Sequence, residues 1–294
     1  MHQTAASATN SPAETSVRTA VVPRPWHASA ALCHRELVRF FRQRNRVIGA
    51  IGQPVMFWLL FGAGLDQSFR LSSSGGAAGQ SFREYYIPGT LALIVLFTAI
   101  FATISIIEDR REGFLQSVLV APVPAWSMVL GKVAGGSLIA IAQAVVFLVL
   151  AAAIEGVSSY GALIHVTALL LASAVGLTGL GFVLAWRMDS TQGFHAVMSV
   201  LLMPMWLLSG AFFPVPVLGP EAGWGQWVLA GVMRVNPLTY AVAGVRQLLA
   251  GPQLAESLRL PSLAVCWGVT VAFAAVMLAL SARVTRVRIQ GDLQ

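Results

Sequence analysis

The chain has 294 residues, of which 56% are hydrophobic and 11% charged, with a formal net charge of +7. A soluble globular domain carries about 25% charged residues, so the composition excludes an ordinary soluble fold and predicts an all-α protein crossing a membrane several times. The basic excess, which in a soluble chain would suggest nucleic acid, is read here as basic flanks of membrane spans, and no nucleic-acid partner is expected.

Residues 1–25 are rich in Ala, Ser, Thr and Pro and predict a disordered tail. Residues 26–294 then form one transmembrane domain. From Trp26 to Arg46, Leu32, Leu37, Val38, Phe40 and Phe41 mix with Arg35, Arg39, Arg42, Arg44 and Arg46. That mixture suits a basic amphipathic helix on an anionic membrane face; the plainer reading is a positive flank of the first span. Six apolar segments follow, at 47–65, 87–107, 128–154, 162–186, 194–213 and 262–282. Each is close to the ~20 residues that cross ~30 Å of hydrocarbon at ~1.5 Å per residue. Gly49, Gly52, Gln53 and Pro54 interrupt the first. With both termini inside, 14 of the 19 Lys and Arg residues fall on the inner side and 5 on the outer, which sets the orientation.

The densest charge between spans is Glu108-Asp109-Arg110-Arg111-Glu112. Such a run cannot sit in hydrocarbon and is placed at or outside the membrane surface. After Gly113, Phe114, Leu115, Val118 and Leu119 recur at helical spacing until Pro122. This predicts a short cytoplasmic amphipathic helix that receives mechanical work from a soluble partner. The outer connection, 214–261, holds two apolar pieces, 224–233 and 238–250, separated by Asn236-Pro237. Both are too short to span, so a re-entrant or interfacial hairpin is expected, with Trp224 and Trp227 at headgroup level. Gly131/Gly135 and Ala172/Gly176 are small-residue pairs that let helices approach closely.

Reaction chemistry is not visible. The spans carry no Asp, Glu or Arg of the kind that binds a coupling ion, and His165 and His195 fall near span ends. No carboxylate pair, Ser/His constellation or metal-ligand cluster lies at membrane depth, and Cys33 and Cys266 are far apart in sequence. Gly131-Lys132 fails the phosphate-loop pattern, because Trp126 and Val133 stand where Gly and Ser/Thr are needed. Neither a catalytic residue nor a cofactor is expected in this chain, and energy for uphill transport must come from another one.

Three motifs carry a resemblance. They are Glu108-Asp109-Arg110-Arg111-Glu112-Gly113-Phe114-Leu115-Gln116 followed by Ala121-Pro122-Val123-Pro124, then Leu208-Ser209-Gly210-Ala211-Phe212-Phe213-Pro214, then Asn236-Pro237-Leu238-Thr239-Tyr240 with Arg246. In that order on a six-span layout, the chain resembles the membrane subunits of ABC-2 type exporters, the group of daunorubicin-resistance and nodulation-type permeases. The resemblance implies a permease that pairs with a second permease, itself or a sister, and with two copies of an ATPase holding ATP and Mg. Glu108, Arg110, Arg111 and Glu112 would make polar contacts with that ATPase, while Phe114, Leu115 and Leu119 pack on it. Asn236, Pro237, Tyr240 and Arg246 would belong to an outer hairpin capping the path, and Met203, Met205, Trp206, Phe212 and Phe213 are candidates for lining it. The expected location is a prokaryotic plasma (inner) membrane with both termini cytoplasmic, and the expected cargo hydrophobic or amphipathic: a drug, a lipid or a lipid-linked glycan. The rival readings are a lipid-modifying membrane enzyme, for which His165, His195 and Asp189 are the scattered candidates, and a non-transporting scaffold.

Overall fold

In the computed structural model, residues 24–72, 82–155, 160–212, 215–216, 218–219, 222–251, 255–256 and 258–286 are described. The expected tail, apart from its last two positions, lies outside them, as do Phe213 and Pro214. The described residues form helices and no strand. In chain order these are α1 (Pro25–Arg42), α2 (Arg44–Ser72), α3 (Phe82–Ala102), α4 (Ile104–Arg111), α5 (Phe114–Val120), α6 (Ala125–Glu155), α7 (Tyr160–Trp186), α8 (Thr191–Trp206) with a π turn at Leu207–Ala211, α9 (Trp224–Val235), α10 (Pro237–Ala250) and α11 (Leu263–Val284).

Four helical paths are long and apolar enough to cross a membrane: Glu84–Arg111, Ala125–Glu155, Tyr160–Trp186 and Leu263–Val284. They correspond to the second, third, fourth and sixth expected spans. The first and fifth are shorter: the apolar part of α2 covers Val47–Phe61, and α8 has 16 residues before its π turn. The α9–α10 pair bends by 79° at Asn236, the geometry of a broken span or a re-entrant loop.

Close approach depends on glycine. A Cβ on Gly131 or Gly135 of α6 would come within 2.7 Å of Leu32 or Glu36 of α1, and one on Gly176 of α7 within 2.5 Å of Phe273 of α11. The Gly131/Gly135 pair noted in the sequence therefore seats α1, and Gly176 of the second pair seats α11. Aromatic side chains fill the wider gaps, with Trp58 of α2 edge-on to Phe147 of α6 at 5.4 Å. The chain turns at two left-handed glycines, Gly113 (φ 74°) before α5 and Gly210 (φ 76°) in the π turn, a conformation that side chains with a Cβ disfavour.

Buried backbone needs partners wherever water is excluded, and the bent α9–α10 pair obtains them from the Asn-Pro-Leu-Thr-Tyr motif. Asn236 accepts from the Leu238 N–H at 3.0 Å and donates to the Met205 carbonyl at 2.6 Å. The Thr239 hydroxyl donates to the Met233 carbonyl at 2.6 Å, and the Tyr240 hydroxyl donates to that of Arg234 at 2.9 Å. One motif thus caps α10, closes α9 and ties both to the end of α8. Replacing Asn236 with Ala removes a cap and a buried donor together, so the folded state should lose about 2 kcal/mol. Thermal unfolding in detergent checks this, with Asn236→Asp expected to keep the cap and lose only the bond to Met205.

Candidate functional site at the charged end of the bundle

α1 turns one face to the protein. Ser29, Leu32, Glu36 and Phe40 are buried along it at helical spacing, whereas Val38 and Phe41 are exposed. Glu36 is thereby carried onto α6 beside Gly135, next to Lys132. The end of α4 delivers Asp109 to the same place. Its side chain is fully buried, although the surrounding charged run was expected at or outside the membrane surface. Asp109 lies two residues beyond the expected second span, near the end of the 28-residue helical path Glu84–Arg111.

The burial is tolerated because the carboxylate is surrounded by cations. Arg35 donates to both Asp109 oxygens, at 2.9 and 2.7 Å, and Arg39 donates at 3.0 Å. Lys132 pairs with Asp109, with Glu36 at 2.5 Å, and donates to the Ser105 hydroxyl at 3.2 Å. A second layer lies closer to solvent: Arg39 donates to Glu108 at 2.7 Å and reaches Glu112 at 3.7 Å. Across the two layers three carboxylates (Glu36, Asp109 and Glu108) thus meet three cations (Arg35, Arg39 and Lys132). The hydrogen bond to Asp109 holds the Arg35 guanidinium above its ordinary value despite partial burial. Burial first, and then the Glu36 charge, raises the neighbouring Cys33 thiol above its usual range.

This cluster is joined directly to α5. The Arg35 guanidinium lies 3.8 Å from the centre of the Phe114 ring, a cation–π contact that fixes the start of α5 against α1. Arg110 donates to the Trp186 carbonyl at 2.7 Å and to Asp189 at 3.2 Å, and Arg111 donates to the Asp189 carbonyl at 2.9 Å. The four charged residues expected to face a partner (Glu108, Arg110, Arg111 and Glu112) therefore all have contacts within the chain. Leu115 is buried in the chain's own core at 2% exposure, while Leu119 and Val120 are 38% and 80% exposed. The outward apolar surface of α5 is its last turn.

A cavity of about 680 Å³ opens beside the cluster, between α2, α3 and α8. Phe57 and Phe61 of α2, Phe97 and Phe101 of α3, and Met203 and Trp206 of α8 line it. It follows α3 and α4 from Tyr86 to Glu108, roughly 33 Å of helix and about the thickness of a bilayer core. Polar residues interrupt the wall at Thr98, whose hydroxyl donates to Gln143 at 2.8 Å, and at His195 and Glu108 toward the charged end. Of the side chains expected along a path, Met203 and Trp206 reach the cavity. Phe212 instead stands edge-on to Tyr86 and Phe61, Met205 packs against the core, and Phe213 lies outside the described residues. The aromatics from α2 and α3 were missed, since a Phe in a uniformly apolar span gives no sign of facing.

The candidates for enzymatic chemistry are dispersed. Asp189 pairs with Arg110, His165 bonds the Gly161 carbonyl in its own helix, and His195 leans on Phe101. Among the described residues no group of three His, Cys, Asp or Glu side chains could hold a metal ion.

A family model described as ABC-2 type transporter matches residues 28–250, which include α1, the cluster, the cavity wall and the bent pair. The chain is 26% identical to the ycf38 protein of Cyanophora paradoxa, a transport permease by name, over 74% of this chain and 72% of that one. It is 25% identical to the inner membrane transport permease YadH of Escherichia coli, over 75% of this chain and 82% of the relative. With Nodulation protein J of Neorhizobium galegae the identity is 23%, over 70% and 74%.

Removing one charge from the cluster should be far costlier than removing a matched pair. Lys132→Met leaves Glu36 and Asp109 undercompensated and should cost about 3–5 kcal/mol. Adding Glu36→Gln should recover much of that loss, as read from a double-mutant cycle of unfolding in detergent; equal losses in single and double variants would contradict the pairing.

Proposed function

We propose that this chain, which belongs to the ABC-2 type transporter family, is the membrane-spanning permease of an ATP-driven exporter. In this reading α2 and α8 complete a six-span layout, with both termini and α5 on the cytoplasmic side of a prokaryotic plasma membrane. Two ATPase subunits, holding ATP and Mg, seat on α5 of each of two permeases, the second being a copy of this chain or a sister. α9 and α10 form the outer re-entrant hairpin. The cargo is hydrophobic or amphipathic: a drug, a lipid or a lipid-linked glycan.

The observation that carries the reading is the aromatic cavity running along α3 and α4 from Tyr86, beside Trp206 of α8, to Glu108 of the charged cluster. Phe114 is fixed to α1 by Arg35, and Asp109 ties α1 to α4 and α6. A displacement of α5 would therefore move three helices together, including the cavity wall formed by α3 and α4. Packed elements of this kind shift between discrete arrangements, which is how ATPase closure would switch the cavity's access. The exposed apolar residues Leu119 and Val120 offer an ATPase a small contact surface.

The test is ATP-dependent efflux of a hydrophobic dye from vesicles holding the permease and its ATPase. Met203 is 47% exposed, so Met203→Trp should fold, narrow the cavity and reduce transport roughly tenfold, equivalent to ~1.4 kcal/mol. Co-purification of the ATPase should be unchanged in that variant. Leu119→Asp should do the reverse, releasing the ATPase from an intact permease. Full transport in Met203→Trp, or undiminished ATPase retention in Leu119→Asp, would contradict the assignment of these surfaces.

A further inference from the structure

At the end of the bundle opposite α5, a second cavity of about 260 Å³ lies between the π turn, the start of α10 and the segment leading into α11. Arg234, Arg246 and Arg259 line it, and among the described residues no carboxylate does. Arg234 and Arg259 are exposed at its rim. Arg246 is 3% exposed. Its guanidinium carbon lies 4.3 Å from the centre of the Tyr85 ring, and one terminal nitrogen donates to the Tyr85 carbonyl at 3.5 Å. Its Nε is buried with no hydrogen-bond partner, and no ion pair reaches it among the described residues.

The contrast with the other end decides what this cavity suits. There the buried carboxylates Glu36 and Asp109 both meet a cation. Here a buried cation faces a cavity whose two other charged wall residues, among those described, are also cations. A buried charge without a counter-ion is strongly disfavoured, and an anion in the cavity would relieve it. The neighbouring hydroxyls of Thr239 and Tyr240 already donate to backbone carbonyls, so the donors left over are guanidinium N–H groups. Their planar fork matches the oxygens of a phosphate. The volume is below the ~300–1,000 Å³ of pockets for drug-sized ligands, which favours a single anionic group over a whole cargo molecule.

We propose that this cavity binds a phosphate group, with Arg246 at its base and Arg234 and Arg259 closing over it. The source is either the headgroup of an acidic phospholipid or free phosphate. The site requires neither the ATPase nor the cargo, so it stands apart from the exporter reading.

The test uses the full chain, delipidated in a maltoside detergent, with thermal unfolding as the readout. Phosphatidylglycerol, phosphate-free diacylglycerol and inorganic phosphate are added in turn. Phosphatidylglycerol should raise Tm and diacylglycerol should not. The rise should vanish in Arg246→Gln and in the double variant Arg234→Gln/Arg259→Gln. If Arg246→Gln fails to fold, the double variant decides, because both of its side chains are exposed. A rise with inorganic phosphate alone would identify a free anion as the ligand, and a rise requiring the lipid would identify the headgroup. No rise with either phosphate source, or an equal rise in the double variant, would overturn the proposal.

Discussion

A carboxylate without solvent sets the arrangement of this protein's charged end. Asp109 is fully buried, and an isolated ionised carboxylate there would cost several kcal/mol after relaxation. Its compensation comes from side chains distant in sequence: Arg35 and Arg39 on α1, and Lys132 on α6. None of these helices can leave the cluster without stranding a charge, so α1, α4 and α6 are bound to one another more firmly than apolar contact in lipid would achieve. The same arginines extend the constraint outward, Arg39 to Glu108 and Glu112, and Arg35 to the ring of Phe114. α5 is thus the outer edge of an ion-paired block and is held at both of its ends, by Gly113 and by the Pro122–Pro124 turn into α6.

The opposite end is held by a different device. A π turn and a 79° bend leave backbone carbonyls outside regular helix, and Asn236, Thr239 and Tyr240 satisfy them from one short motif. The Trp206 indole adds a bond to the Gly89 carbonyl at 2.8 Å, fixing α8 to α3 where the cavity ends. The wall between these two anchored ends is apolar and aromatic, with few directional bonds.

How much of this the sequence disclosed follows from which signals are local. α5 was legible because Gly113 and Pro122 bracket a helical repeat, and the bent pair because Asn236-Pro237 divides an apolar stretch too short to span. The length and hydropathy of four spans were equally plain. The cluster was not. Glu36 lies on the stripe Ser29, Leu32, Glu36, Phe40, and an acid in the middle of such a stripe is a readable sign of a buried partner, but Lys132 lies 96 residues away. Asp109 looks identical to its charged neighbours in sequence, and only the helix phase of α4 distinguishes it. Likewise, the facing of Phe97 and Phe101 depends on where α2 and α8 sit, which no periodicity in a wholly apolar span records.

The central claim is that α5 is the surface on which an ATPase does work. A photo-crosslinking residue at Val120, which is 80% exposed, tests it most directly in native membranes, with one at Val200 on α8 (77% exposed) as the control. The account predicts a crosslink from position 120 to a soluble subunit bearing a phosphate loop, and none to that subunit from position 200. Crosslinks from position 120 to lipid alone, or equal capture of the subunit at both positions, would contradict it.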